Sequence, residues 1–114
     1  LHVAAHFNEA CVQTAVKTVT NLTDAYRATE EVEALGVGYT DLWLTPTKEG
    51  PAYLLELKYL KPSDRSAEKV AQTLSQAKAQ LMRYAAADNI RAMPNLRKTA
   101  IVFVGTTLAA VEDV

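Results

Sequence analysis

The sequence is poor in the residues that crosslink small proteins. Its 114 residues include one cysteine, Cys11, and two histidines, His2 and His6. A single thiol excludes an internal disulfide framework, and so few soft ligands exclude a zinc cluster built from cysteine and histidine. We therefore expect a reducing, cytoplasmic setting and a fold that is stable through its own hydrophobic core.

Other absences exclude further classes of protein. Four glycines and four prolines are too few for a collagen-like or low-complexity chain. No apolar run approaches the ~20 residues of a membrane helix, and no signal-peptide pattern opens the chain. Twelve lysines and arginines against thirteen acids leave a net charge of -1. The overall charge does not attract nucleic acid, so any contact with a polyanion has to be local.

What remains is the composition of an ordinary globular domain. Hydrophobic residues make up 49% of the chain and charged residues 22%, which is close to the average for folded domains. The length leaves no room for two independent cores. We expect residues 1–114 to form a single domain. Because the first residue is leucine and not methionine, we also expect that domain to be part of a longer polypeptide.

Hydrophobic periodicity predicts the element order helix, three strands, helix, strand. The predicted helices cover residues 3–19 and a longer segment from Ser63 or Ser66 to about residue 88. The predicted strands cover residues 26–32, 39–45, 52–60 and 99–104. Residues 89–97, which include Pro94, are expected to connect the second helix to the last strand. This order predicts an α/β domain with a mixed sheet and helices on both sides.

The second and third predicted strands are expected to form an antiparallel hairpin across the turn-rich loop PTKEGP, residues 46–51. Symmetric pairing about the centre of that loop places Asp41 opposite Glu56. Because side chains alternate along a strand, Asp41, Glu56 and Lys58 share one face, and leucines crowd the other. The leucine face is expected to be core.

Two opposed carboxylates need a positive partner. Their β carbons would lie roughly 5 Å apart, where like charges destabilise a pair. Lys58 supplies one positive charge, and a divalent cation bound by Asp41, Glu56 and the Leu57 carbonyl would supply the rest. Oxygen ligands favour Mg²⁺ or Mn²⁺, and such a cation can activate water towards a phosphodiester, with Lys58 orienting the water or stabilising the transition state. The competing interpretation is an ordinary ion cluster exposed to solvent. The leucine-rich strand around Glu56 argues against it, because a charged residue there is costly unless it is paired or functional.

These residues also carry a resemblance to a known family. The pattern GVGYTD at residues 36–41, followed by ELK at residues 56–58, resembles the bipartite motif of the PD-(D/E)XK nuclease superfamily, with Thr40 in place of the proline. The segments GYTDLWLTP, AYLLELKYLK and QAKAQLMRYAAAD are similar to a bacterial family in which this nuclease domain follows an AAA-type ATPase-like domain. The resemblance spans about residues 7–105. It implies a restriction-endonuclease-like core of helix, three strands, helix and strand, with the mixed sheet flanked by helices.

The resemblance implies roles for individual residues. Asp41, Glu56 and the Leu57 carbonyl would bind Mg²⁺ or Mn²⁺, and Lys58 would be the catalytic lysine. Glu9, the acid of the predicted first helix, would be a further metal ligand or would tune the metal.

Two positions of the second predicted helix carry a further implied role. Gln80 and Tyr84 match the Gln-x-x-x-Tyr motif of RecB-like members of the superfamily, where these residues lie beside the active site and place the substrate or the attacking water. The alternative for this short motif is that Gln80 is exposed and Tyr84 packs against the sheet.

Positive side chains also occur on and around the second predicted helix. They include Lys61, Arg65, Lys69, Lys78 and Arg83. These residues would hold phosphates in register, or they would form a solvent-exposed helix face that also carries acidic residues. Trp43, on the acid-bearing face, would stack on a base or would cover the sheet.

Together these patterns predict a Mg²⁺- or Mn²⁺-dependent nuclease that hydrolyses phosphodiester bonds of nucleic acid, with DNA as the expected substrate. The expected partners are nucleic acid and an ATPase-like domain of the same full-length chain, with no membrane, and a homodimer is left open. The alternative function is a non-catalytic nucleic-acid-binding or regulatory module attached to the ATPase-like domain.

Overall fold

A computed structural model of the chain describes most of its length. The described residues are 16, 24–30, 33–34, 36, 38–39 and 41–114. The first predicted helix, including Glu9, lies outside these residues apart from Val16, which is helical and packs against the sheet.

Seven strands make up the β structure of the described residues. In chain order they are β1 (Tyr26–Glu30), β2 (Glu33–Ala34), β3 (Gly38–Tyr39), β4 (Leu42–Pro46), β5 (Ala52–Leu60), β6 (Leu96–Val104) and β7 (Thr107–Asp113). Five of them form one sheet in the order β1-β4-β5-β6-β7, and β2 pairs with β3 in a separate antiparallel ladder. Within the large sheet only the β5–β6 pair is parallel. The expected mixed sheet of an α/β domain is therefore confirmed.

The helices of the described residues lie between the two parallel strands in the chain. A 3-10 turn at Pro62–Asp64 precedes α1 (Ala67–Ala85), and the short α2 (Asp88–Arg91) follows it. Helix α1 is the crossover that joins two parallel strands, a connection that needs a dozen or more residues. None of the described helices is both long enough and apolar enough to cross a membrane.

Helix α1 starts where the sequence predicts a cap. The Ser66 hydroxyl accepts a hydrogen bond from the backbone N–H of Lys69 at 3.1 Å, which satisfies one of the free donors of the first turn. The predicted end near residue 88 is wrong by three residues. The helix ends at Ala85 because the chain turns there and begins α2 at Asp88.

The predicted hairpin has the predicted register. Strands β4 and β5 pair Leu42 with Leu55 and Trp43 with Leu54, as symmetric pairing about the loop requires. The predicted strand over residues 39–45 is interrupted, however, because Asp41 lies in a bend between β3 and β4. The pairing of the backbone therefore stops one residue before the position expected to face Glu56.

The sheet buries apolar side chains on both faces. One face carries the leucine core, formed by Ala28, Leu42, Leu55 and Leu57. The other face packs against α1 in what we call the helix core, formed by Ala34, Trp43, Leu54, Ala77, Leu81, Tyr84, Ala87, Ile90 and Ala100. The expected leucine core is confirmed. Trp43 is only 4% exposed, so it covers the sheet and is not available to stack on a base.

Two elements of the C-terminal third differ from the sequence predictions. The predicted connection over residues 89–97 contains α2 and the first residues of β6. Strand β7 is not predicted at all, because it lies at the sheet edge with six of its seven residues exposed and so lacks a buried apolar alternation. Neither difference alters the central strands that carry the candidate site.

Candidate active site

Asp41 reaches across the sheet from its bend before β4. Its Oδ2 accepts a hydrogen bond from the backbone N–H of Leu57 at 2.9 Å. A side-chain carboxylate thus takes the place of a backbone carbonyl at the point where the β4–β5 ladder ends, which explains why the predicted strand is interrupted there. The bond ties the Asp41 carboxylate to β5 next to Glu56.

Glu56 is an acid in the interior of the sheet. It is 3% exposed in the middle of β5, and its Oε2 lies 3.2 Å from the Lys58 ammonium nitrogen. Its Oε1 is buried and has no hydrogen-bond partner among the described residues. A buried polar atom without a partner is destabilising, and a bound ligand would offset that cost.

The surroundings of Glu56 disfavour its negative charge. The pKa of Glu56 is raised from 4.5 to about 7, chiefly by burial and also by repulsion from the Asp41 carboxylate, and the Lys58 ammonium offsets part of that rise. Raised carboxylate pKa values of this origin are typical of functional sites. A cation bound between the two acids would favour the ionised form of both.

The donor set fits a hard divalent cation. Asp41 and Glu56 offer carboxylate oxygens, and the partnerless Oε1 of Glu56 is an oxygen ready for a ligand. The Leu57 side chain is buried in the leucine core, so this residue can contribute only its backbone. Among the described residues no three aspartate, glutamate, histidine or cysteine side chains come together as a metal-binding group. Glu9, the expected further ligand, lies outside those residues.

The two residues of the Gln-x-x-x-Tyr motif occupy different environments on α1. Tyr84 is 5% exposed and belongs to the helix core, which agrees with the packing alternative for its ring. Gln80 is half-buried, and its Oε1 accepts a hydrogen bond from the Arg83 guanidinium. Gln80 is therefore not simply exposed, and it is oriented by a positive neighbour.

Two contacts near the site are not apparent in the sequence. The first is the Leu57 N–H that holds Asp41. The second is the Tyr84 ring against Gly38, where an added Cβ would lie 3.6 Å from Cε1, at a backbone φ of +153°. A glycine shortly before an acid signals such a contact only once the position of α1 is known.

Comparison with known proteins agrees with this geometry. A sequence profile of the PD-(D/E)XK nuclease superfamily matches residues 7–113, nearly the whole chain. The chain belongs to the PD-(D/E)XK nuclease superfamily. No curated protein and no solved structure matched the chain.

Membership of this superfamily indicates a general class of function. Proteins of this superfamily are generally hydrolytic nucleases that typically use divalent metals. The order β1, β4, β5, α1, β6 agrees with the strand–strand–strand–helix–strand part of the expected restriction-endonuclease-like core. A nuclease-type function is therefore supported for this chain, in which Glu56 and Lys58 lie on β5 and Asp41 lies in the bend just before β4.

Proposed function

We propose that the protein is a metal-dependent nuclease that hydrolyses phosphodiester bonds of nucleic acid, with DNA as the expected substrate. The observation that carries the proposal is the Asp41–Glu56 pair. The Asp41 carboxylate is tied to the strand that bears Glu56, and Glu56 keeps a buried oxygen without a partner among the described residues. A purely structural ion pair has no use for that oxygen.

In this proposal Asp41, Glu56 and the Leu57 carbonyl hold Mg²⁺ or Mn²⁺, and Glu9 adds a ligand from the N-terminal segment. Bound there, the cation would polarise the phosphodiester and lower the pKa of a bound water. The hydrogen bond from Leu57 to Asp41 orients that carboxylate, as outer partners commonly do at metal sites.

Lys58 is the proposed catalytic lysine. Its side chain is 30% exposed and its ammonium lies 3.2 Å from Oε2 of Glu56, so it belongs to the site and still reaches solvent, from which a substrate would arrive. An ammonium at that position can hold the attacking water or stabilise the negative charge that develops on the phosphate. Gln80 is proposed to help place the substrate, with Tyr84 supporting the site from the helix core.

The direct test is cleavage of labelled DNA and RNA by the purified chain in Mg²⁺, in Mn²⁺ and in EDTA. We expect cleavage in either metal and none in EDTA. Asp41→Asn and Lys58→Ala should each lose it, whereas Lys78→Ala, a matched lysine on the outer part of α1, should keep it. Cleavage that survives EDTA and both site variants would contradict the proposal.

A non-catalytic module is the alternative, and the same experiment separates the two. It would bind nucleic acid without cutting it in any metal. The ATPase-like domain of a longer chain and a homodimer remain predictions, which mass analysis of the native protein and sedimentation of the purified chain would test.

A further inference from the structure

The two flanks of helix α1 face different parts of the sheet. The helix buries Ala77 and Leu81 against the sheet. On one flank, Nζ of Lys78 lies 2.7 Å from Oε1 of Glu112 in β7, the edge strand. The candidate site lies in the opposite direction, on β5 and just before β4. The flank of α1 that is turned away from Lys78 therefore faces the side of the sheet that carries the site.

Helix geometry identifies the residues on that flank. Successive residues are rotated by about 100° around the axis. Two positions along the chain from Lys78 correspond to about 160° around the helix, which is where Gln76 and Gln80 lie. Lys69 is nine positions from Lys78 and lies about 180° from it, on the opposite side of the helix. Arg83, five positions away, lies about 140° from it. We call Lys69, Gln76, Gln80 and Arg83 the site flank.

The site flank carries positive charge and no acid. Glu68 is the one acid in α1, and nine positions from Ala77 it points away from the sheet, about 180° from the buried side. Among the described residues Lys69 and Arg83 form no ion pair, in contrast to Lys78. Arg83 donates to the neutral amide of Gln80, which orients its guanidinium and leaves its charge uncompensated.

We propose that Lys69 and Arg83 bind phosphate groups of the nucleic acid strand that crosses the site. This inference rests on the proposed nuclease function and assigns the substrate contacts of the same site. Fourteen residues of helix separate the two positions, which is about 21 Å. That length matches about six nucleotide steps of a duplex strand at ~3.4 Å each, so the two charges would contact different phosphates.

The test is the salt dependence of binding. The probes are a fluorescent DNA duplex and a single strand of the same sequence, titrated with wild-type chain, Lys69→Ala, Arg83→Ala and Lys78→Ala by anisotropy in EDTA, from low to moderate salt. All three variants lose one positive charge, so changes in the long-range field are matched. Each site-flank variant should lower the slope of log K against log salt by about 0.7 to 0.9, and Lys78→Ala should keep the wild-type slope.

The outcomes separate this inference from the function on which it rests. If the wild-type chain binds and cleaves nucleic acid but both site-flank variants keep the wild-type salt slope, the inference alone is overturned. Equal losses of slope in all three variants would also overturn it, because they would show a diffuse field in place of a defined flank. A wild-type chain that binds neither probe would overturn the proposed function as well. Circular dichroism before titration verifies that each of the three variants is folded.

Discussion

Two lysine–glutamate ion pairs among the described residues have opposite character. In the site, the Glu56 side chain is 4% exposed and the Lys58 side chain 30%, with 3.2 Å between their charged atoms. At the sheet edge, the Lys78 and Glu112 side chains are 36% and 48% exposed, and their charged atoms are 2.7 Å apart. The shorter contact is the one in solvent, and the longer one is in the interior.

The two pairs differ in how far solvent compensates their charges. The edge pair joins α1 to β7 in water, where such pairs contribute little and are screened by salt. The interior pair is incomplete, because one oxygen of Glu56 is buried without a partner among the described residues and the pKa of the carboxyl is raised to about 7. An incomplete buried pair is a feature that folding alone would not favour.

The largest expected difference between the pairs is in catalysis. Lys58→Ala removes the proposed catalytic ammonium and should lower the cleavage rate by about 100-fold or more, the usual effect of losing one group that stabilises a transition state. Lys78→Ala should change the rate by less than about twofold, because that lysine pairs with Glu112 at the sheet edge, away from the candidate site. Single-turnover cleavage at saturating enzyme measures both. Equal losses would remove the distinction between the pairs.

The next difference is in stability, where we expect the variant of the interior pair to be more stable than wild type. At pH 8 Glu56 is ionised in the folded and the unfolded chain, and burial disfavours that charge. Glu56→Gln should therefore raise the free energy of unfolding at pH 8, by about 3 kcal/mol if the full pKa difference is recovered. Glu112→Gln should change it by less than about 1 kcal/mol. Urea unfolding in EDTA measures both values, and a Glu56→Gln variant that is less stable than wild type would contradict the raised pKa.

The same shift predicts how wild-type stability changes with pH. Since the pKa of Glu56 is raised from 4.5 to about 7 on folding, the folded chain binds more protons than the unfolded chain between these values. The contribution of Glu56 is thus most favourable below pH 4.5 and is lost as the pH rises to about 7. The difference in unfolding free energy between wild type and Glu56→Gln, followed from pH 5 to pH 8, isolates it.

Metal affinity should follow the same titration. At pH 8 about nine-tenths of Glu56 is ionised, and at pH 6 about one-tenth, for a pKa of about 7. We expect Mn²⁺ affinity to fall about tenfold between these two conditions, because the ligand must be deprotonated to bind. Titration calorimetry at each pH measures the change. Affinity that is flat across this range would show that Glu56 is not a ligand.

The smallest effect concerns the edge pair itself. A double-mutant cycle with Lys78→Ala and Glu112→Ala should give a coupling energy of about 0.2 to 1 kcal/mol that declines with added salt. Thermal or urea unfolding of the four proteins measures it. A coupling of several kcal/mol, or one insensitive to salt, would place the edge pair in the same class as the interior pair.

The central strands could be predicted from the sequence because local and long-range signals agree there. The turn-rich loop and the alternation on its two sides predict the register of β4 and β5, including the pairing of Leu42 with Leu55. Strand β5 also has the predicted bounds, Ala52–Leu60. The approach of Asp41 to Glu56 follows from that register and did not need the structure.

Other features depend on partners that are distant in the sequence. The bend at Asp41 exists because its carboxylate binds the N–H of Leu57, and no local pattern shows this bond. Strand β7 is formed by pairing with β6 and has few buried residues of its own. The burial of Trp43 and Tyr84 requires α1 to cover the acid-bearing face, and no local pattern shows which face the helix covers.

The most direct test of the account is Mn²⁺ binding, measured by electron paramagnetic resonance on wild type, Asp41→Asn, Glu56→Gln and the matched edge variant Glu112→Gln. We expect one tight Mn²⁺ site in wild type and in Glu112→Gln, and its loss in Asp41→Asn and in Glu56→Gln. Binding that survives both site variants, or that is lost equally in Glu112→Gln, would contradict the claim that the Asp41–Glu56 pair is built to hold a cation.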